Sequence, residues 1–194
     1  MPTAYDDLRI LIVSSSEKGR DFLLGALKAF HAQFVSLSAA SDARVRLSSE
    51  RFDLVLVNAP LRDEFGADLA VHAADDAYAG VLLLLRADAY DQIAAQVADQ
   101  GVLAIPKPIP HGLLDQAVRI SLATRQRLLR AQKKTESLQK KMEEVRLVNR
   151  AKLLLIQKLG MTEAAAHRLI EKQAMDMRRT RADIAADLIR TYEN

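Results

Sequence analysis

From residue 113 to residue 159 the chain runs without a glycine or a proline. Those two residues interrupt helices most readily, one through backbone freedom, the other by removing a donor and clashing with the preceding turn. One helix is therefore expected from His111 to about Lys158. It would hold about 48 residues and reach roughly 70 Å at 1.5 Å per residue. Positions 114, 117, 121, 124, 128, 131, 135, 138, 142 and 145 step by three and four, the spacing of a coiled-coil seam. From 117 to 131 the seam is small or polar, except at Leu128, and it is firmer at Leu138, Met142 and Val145. No small domain covers such a rod, so it needs a partner helix. A second copy of the chain is the most economical partner, giving a homodimer through Leu128, Leu138, Met142 and Val145. The other arrangement is a stalk that packs on its own C-terminal helices.

Charge divides the chain at nearly the same place as glycine and proline do. Residues 1–110 carry 10 Lys and Arg against 15 Asp and Glu, whereas residues 111–194 carry 18 against 10. The overall net charge of +3 thus hides an acidic part and a strongly basic one. All prolines, and all aromatics but Tyr192, lie before residue 111. The expected division is 1–110, a mixed domain; 111–148, a dimerising coiled-coil helix; and 149–194, a basic helical bundle. The absence of cysteine excludes disulfides, a thiolate metal site and a cysteine nucleophile, and fits a cytoplasmic location. No apolar run is long enough to span a membrane, and the polar start argues against a secretory signal. Neither an enzyme nor a cofactor is expected.

Residues 1–110 alternate short apolar runs with amphipathic stretches. The runs are 8–13, 33–37, 53–57, 80–85 and 101–105; the helix-like stretches are 17–30, 42–50, 66–75 and 89–99. Continuous apolar runs suit strands covered on both faces. Five strand–helix alternations predict a five-stranded, doubly wound parallel sheet, giving an α/β plus all-α chain. Its functional edge would lie at the carboxyl ends of the strands, at Ser14-Ser15, Asn58, Leu85-Arg86 and Lys107.

This spacing resembles the receiver domain of bacterial response regulators over roughly residues 8–125. In that family the first strand ends in an acidic pair that holds Mg²⁺. The third ends in the phospho-accepting Asp, the fourth in Ser or Thr, and the fifth in Lys-Pro. Lys107-Pro108 matches. Ser14 and Ser15 stand in place of the acidic pair, Asn58 in place of the acceptor, and Leu85 in place of the Ser/Thr. An amide is not a carboxylate nucleophile, and hydroxyls supply little charge for a hard cation. The resemblance thus implies the fold, while the residues argue against phosphotransfer: a pseudo-receiver with a degenerate site and no metal. Glu17, Asp63 and Glu64 are the acids near enough to compensate, and they read as solvated helix-start and loop charges. Lys107 is expected to hydrogen-bond Asn58 or the serine hydroxyls, and Lys107–Pro108 is a candidate cis peptide.

Beyond the long helix, Gly160 suits a helix C-terminal turn and Thr162 an N-cap. A helix over 162–177 follows, with Ala165, Leu169, Ile170 and Gln173/Ala174 on one side. Thr180 to Asp183 has capping-box form, before a last helix carrying Ile184, Ala185, Leu188 and Ile189. With Leu153, Leu154, Leu155, Ile156 and Leu159 these make a three-helix cluster. The segments Arg150 to Ile156, Gly160 to Ala166, Ala174-Met175 and Ile184-Ala185 resemble the ANTAR domain over roughly residues 128–190. That domain is the RNA-binding module of bacterial transcription antitermination regulators. Leu153 stands where Gly or Ala is frequent, and Gln173 precedes Ala174. The order pseudo-receiver, coiled coil, ANTAR module is most similar to the amide-responsive antiterminator type.

The resemblance implies a dimer that grips hairpins in leader mRNA and stops a terminator stem from forming. Its control would come from a sensor or sequestering partner protein rather than from phosphorylation. The basic charge supplies phosphate attraction on its own account. With Tyr192 the only aromatic in this part, a base-stacking platform is disfavoured. The residues expected at RNA are Arg150, Lys152, Lys158, Arg168, Lys172, Gln173, Arg178 and Arg179. Two other readings stay open: a helix-turn-helix DNA-binding regulator, and a protein-interaction adaptor without catalysis. A live phospho-receiver would require labelling at Asn58, which is not expected.

Overall fold

The computed structural model describes residues 8–75 and 79–193. Two compact units divide the chain, Met1–Arg130 and Ala131–Asn194.

The first unit is a five-stranded parallel sheet of order β2-β1-β3-β4-β5. Its strands are β1 (Arg9–Ser14), β2 (Gln33–Leu37), β3 (Leu54–Asn58), β4 (Gly80–Arg86) and β5 (Val102–Lys107). Between them run α1 (Glu17–Leu27), α2 (Ala40–Ser49), α3 (Ala67–Asp75) and α4 (Ala87–Ala98), and α5 (His111–Leu159) follows β5. The three central strands are apolar at successive positions because each face has its own core. Leu11, Val13, Val55, Val57, Leu83 and Leu85 point to the side covered by α2, α3 and α4. Ile10, Ile12, Leu54, Leu56, Leu82 and Leu84 point to the other, where Leu23 and Leu27 of α1 meet Leu114, Val118 and Leu122 of α5. Burying each such side chain stabilises by about 1.5–3 kcal/mol.

α5 is one continuous helix, as its lack of breakers predicts. The upper part of the expected seam is corrected, however. Leu114, Ala117 and Ser121 are buried against the first unit, so they are closed to a second copy. This is also why the compact division falls after Arg130 rather than at the prolines near residue 110. A largely buried ion pair fixes this part of the helix: Arg125 Nη2 lies 2.6 Å from Asp53 Oδ1, and the other Asp53 oxygen accepts from the Arg9 N–H at 2.8 Å. Leu128, Leu138, Met142 and Val145 are 58, 52, 66 and 57% exposed in the single chain.

In the second unit the end of α5 packs with α6 (Glu163–Met177) and α7 (Arg181–Tyr192). The core is Val148, Ala151 and Leu155 against Ala166, Ile170, Ala174, Ile184 and Ala185. Four of these eight are alanines, so the helices approach closely and few large side chains hold them. The expected apolar end of α5 is corrected in part: Leu155 is buried, but Leu153 and Leu159 face outward. On α6 it is Ala166, rather than Ala165, that is buried with Ile170 and Ala174. Helix ends follow the local signals. Gly160 has φ +63°; Thr162 accepts from the Ala165 N–H; and Thr180 and Asp183 form a reciprocal capping box.

Candidate functional sites

At the carboxyl edge of the sheet, β1 and β3 end side by side, with Ser14 opposite Asn58. β5 ends with Lys107 opposite Arg86 of β4. A chain of hydrogen bonds closes across this edge. Lys107 Nζ donates to Asn58 Oδ1 at 2.9 Å and to the Ala59 carbonyl. Asn58 Nδ2 donates to Ser14 Oγ at 3.0 Å, and Ser14 Oγ to the Ser16 carbonyl at 3.2 Å. Ser16 caps α1 by accepting from the Gly19 N–H, and Ser15 turns away to the Pro60 carbonyl. Gly19 is required by proximity: a Cβ there would stand 2.5 Å from Asn58 Nδ2 and 2.9 Å from Ser14 Oγ. Both Lys107–Pro108 and Ala59–Pro60 are cis.

The Lys107 ammonium at this edge has no acid partner among the described residues, whereas Arg86 beside it pairs with Asp88. Burial and, after it, the charge of Arg86 lower the Lys107 pKa from its ordinary value. Lys107 makes no ion pair among the described residues. The three acids considered from sequence are engaged elsewhere. The Asp63 carboxylate accepts from the N–H groups of Ala40 and Ser41, at 2.7 and 2.9 Å, which pulls its pKa down to about 2. Glu64 pairs with Arg44 at 2.7 Å and accepts from the Leu69 N–H. Glu17 is exposed, 3.7 Å from Arg20. No cluster of three metal-ligating side chains occurs among the described residues.

One position is corrected. Leu85 is fully buried in the core shared with α2, α3 and α4. The residue beside Lys107 is Arg86, which stands at the start of α4 and pairs with Asp88 at 2.7 Å. Strand alternation was the signal that could have found it: Leu83 and Leu85 share one face, so the last outward position is 86.

In the second unit the named cations separate into two groups. Arg150 pairs with Glu193, Lys152 with Glu163 at 3.1 Å, and Arg179 with Asp187 at 2.6 Å. Lys158, Arg168, Lys172 and Arg178 are exposed and make no ion pair among the described residues. Gln173 is half-buried on α6. Arg178 ends α6 in the left-handed region, at φ 53°. Beside it lies a shallow cleft of about 350 Å³ lined by Glu171, Ala174, Met175, Arg179 and Arg181. Met175, 73% exposed, and Arg181, which bonds Glu144 at 3.0 Å, were not singled out from sequence as site residues.

The ANTAR domain model matches residues 136–189. Over 94% of its length the chain is 26% identical to the transcriptional regulatory protein PdtaR of Mycobacterium tuberculosis, covering 90% of that protein. Among solved structures, the sheet unit is similar to the signal receiver domain of an HD domain-containing protein from Pseudomonas fluorescens Pf-5. The TM-score is 0.56 at 23% identity, covering 65% of this chain and 94% of that one. A CheY-like receiver domain protein from Methanospirillum hungatei JF-1 gives 0.55 at 18% identity, covering 62% and 97%. At such identities the likeness is one of fold, and the parallel sheet of order 2-1-3-4-5 agrees with it. The chain thus carries an ANTAR domain over residues 136–189 that follows a domain of receiver fold, and over nearly its whole length it is similar to a transcriptional regulatory protein.

Proposed function

We propose that the protein binds hairpins of leader mRNA as a homodimer and so prevents a terminator stem from forming. The observation that carries this reading is the set of exposed, unpaired cations Lys158, Arg168, Lys172 and Arg178 on an ANTAR-matching module. Phosphate binding by such side chains releases counterions, so affinity falls steeply with salt. Leu138, Met142 and Val145 supply the dimer contact, because each is an apolar side chain open to solvent on one helix at seam spacing. Control comes from a partner protein or from dimerisation rather than from phosphorylation. The position facing Lys107 holds an amide, and an amide cannot form an acyl phosphate.

The test is binding of a leader stem-loop RNA against duplex DNA of matched length at several salt concentrations. Tight, salt-dependent RNA binding that falls when Arg168 and Lys172 are changed together to Gln is expected. Preference for the duplex, or indifference to those substitutions, refutes the reading.

A further inference from the structure

A cleft of about 260 Å³ opens beside Lys107, between α1 and the segment joining β5 to α5. Its walls are apolar: Phe22 and Leu23 of α1, Leu84 of β4, and Pro108 and Ile109 of the joining segment. Its polar end is Asn58 with Lys107. An ammonium has three donors, and Lys107 uses two of them, on Asn58 and on the Ala59 carbonyl. The remaining donor has no protein partner among the described residues, and Arg86 adds positive charge beside it. A half-buried cation without an anion, at the end of an apolar slot, is complementary to one kind of molecule. Doubly wound sheets also place ligands at this edge.

We infer that this cleft binds a small apolar carboxylate, with the carboxylate on Lys107 and the hydrocarbon body between Phe22 and Ile109. The volume lies below the ~300–1,000 Å³ of drug-sized sites, so the body is a short alkyl chain or a single ring. One ammonium matches one negative charge. The apolar walls give inorganic phosphate no further donors to replace its hydration. The cleft also adjoins the start of α5: the Phe22 ring lies 4.8 Å from that of His111, the first residue of the helix. Occupancy thereby touches the element that carries the exposed seam.

The test is calorimetric titration of the full-length protein with hexanoate, and with three control probes: hexanol, acetate and inorganic phosphate. Saturable hexanoate binding is expected, with each control at least about tenfold weaker. Lys107→Met should weaken hexanoate about tenfold and leave hexanol unchanged. Ile109→Trp, at a half-buried position on the rim, should fill the slot and abolish binding; it carries the test if Lys107→Met loses its fold by circular dichroism. Four results would each overturn the assignment: no saturation by hexanoate at tens of millimolar, equal binding of hexanol, tighter binding of phosphate, or hexanoate binding that survives both variants.

Discussion

Replacing Asn58 by Asp restores an acid at the centre of the strand-edge network while conserving shape. The side-chain oxygen already lies 2.9 Å from Lys107 Nζ, so the ion pair forms without rearrangement. A charge-assisted hydrogen bond contributes about 1.5–3 kcal/mol against about 1 kcal/mol for the neutral bond it replaces. Two costs oppose the gain. The new carboxylate is half-buried and loses hydration, and the Ser14 hydroxyl must turn to donate to it, giving up its 3.2 Å bond to the Ser16 carbonyl. The net expectation is a gain of about 1 kcal/mol at pH 7, or about 3 °C in the melting transition of the sheet unit. Its pH dependence has a definite sign. Lys107 depresses the pKa of the introduced carboxyl in the folded state, so the gain is complete above the unfolded value of about 3.9 and is lost as pH falls through the folded one. Urea titrations of the full chain from pH 3 to pH 8 measure this. In the Lys107→Met background the same substitution should destabilise, because the carboxylate is then buried without a partner. A destabilised Asn58→Asp protein at pH 7, or a gain that does not shrink between pH 5 and pH 3, refutes the assignment of Lys107 as an uncompensated cation.

Four further outcomes are expected. Leu155→Ala opens a cavity in a core half made of alanine and costs about 3 kcal/mol. That is a large share of the ~3–10 kcal/mol available to a unit of this size, so amides of α6 and α7 should lose hydrogen-exchange protection while the sheet keeps it. Asp63→Asn lowers stability at neutral pH by weakening the contact that caps α2; the deficit shrinks as pH falls from about 3.8 toward about 2, where Asp63 itself protonates, and urea titration follows it. Leu138→Asp with Met142→Asp should convert a dimer into a monomer in sedimentation equilibrium; an unchanged dimer places the interface elsewhere. Labelled acetyl phosphate should leave no label on the wild-type chain, and Asn58-dependent labelling would overturn the reading of the site.

The fold was legible because its signals are local. Each apolar run that predicts a strand sits between a polar strand end and a helix-forming stretch, and the observed strands match within two residues. The caps at Thr162 and Thr180, and the turn at Gly160, depend on side chains only a few residues apart. What the sequence concealed was non-local. A seam of period 3.5 on α5 does not say which of its turns meet another chain and which meet the same one. The answer lies in distant partners: the sheet core that takes Leu114, Val118 and Leu122, and Gly80, where a Cβ would stand 3.1 Å from the Ser121 Cβ and 3.3 Å from its backbone. The ion pairs of Arg150, Lys152 and Arg179 were concealed for the same reason, since their acids lie eight or more residues away.

The candidate site shows how far one residue of strand register reaches. Reading Leu85 at the edge leaves Lys107 as its single cation, beside an apolar neighbour. Placing Arg86 there, as the pairing with Lys107 requires, adds a second cation that Asp88 neutralises in part, so that Lys107 stays without an acid and has a positive neighbour. These differ physically. Beside Leu85 only the burial of Lys107 would disfavour its charge; beside Arg86 a like charge adds to that. A cationic edge is under electrostatic tension that an anion relieves, whether the anion is built into the chain by Asn58→Asp or arrives as a bound carboxylate. Both routes act on the same ammonium, so they must compete. The Asn58→Asp protein should bind hexanoate more weakly than wild type by roughly the factor of five that about 1 kcal/mol represents. Equal affinity in the two proteins would mean that the network and the cleft do not share Lys107.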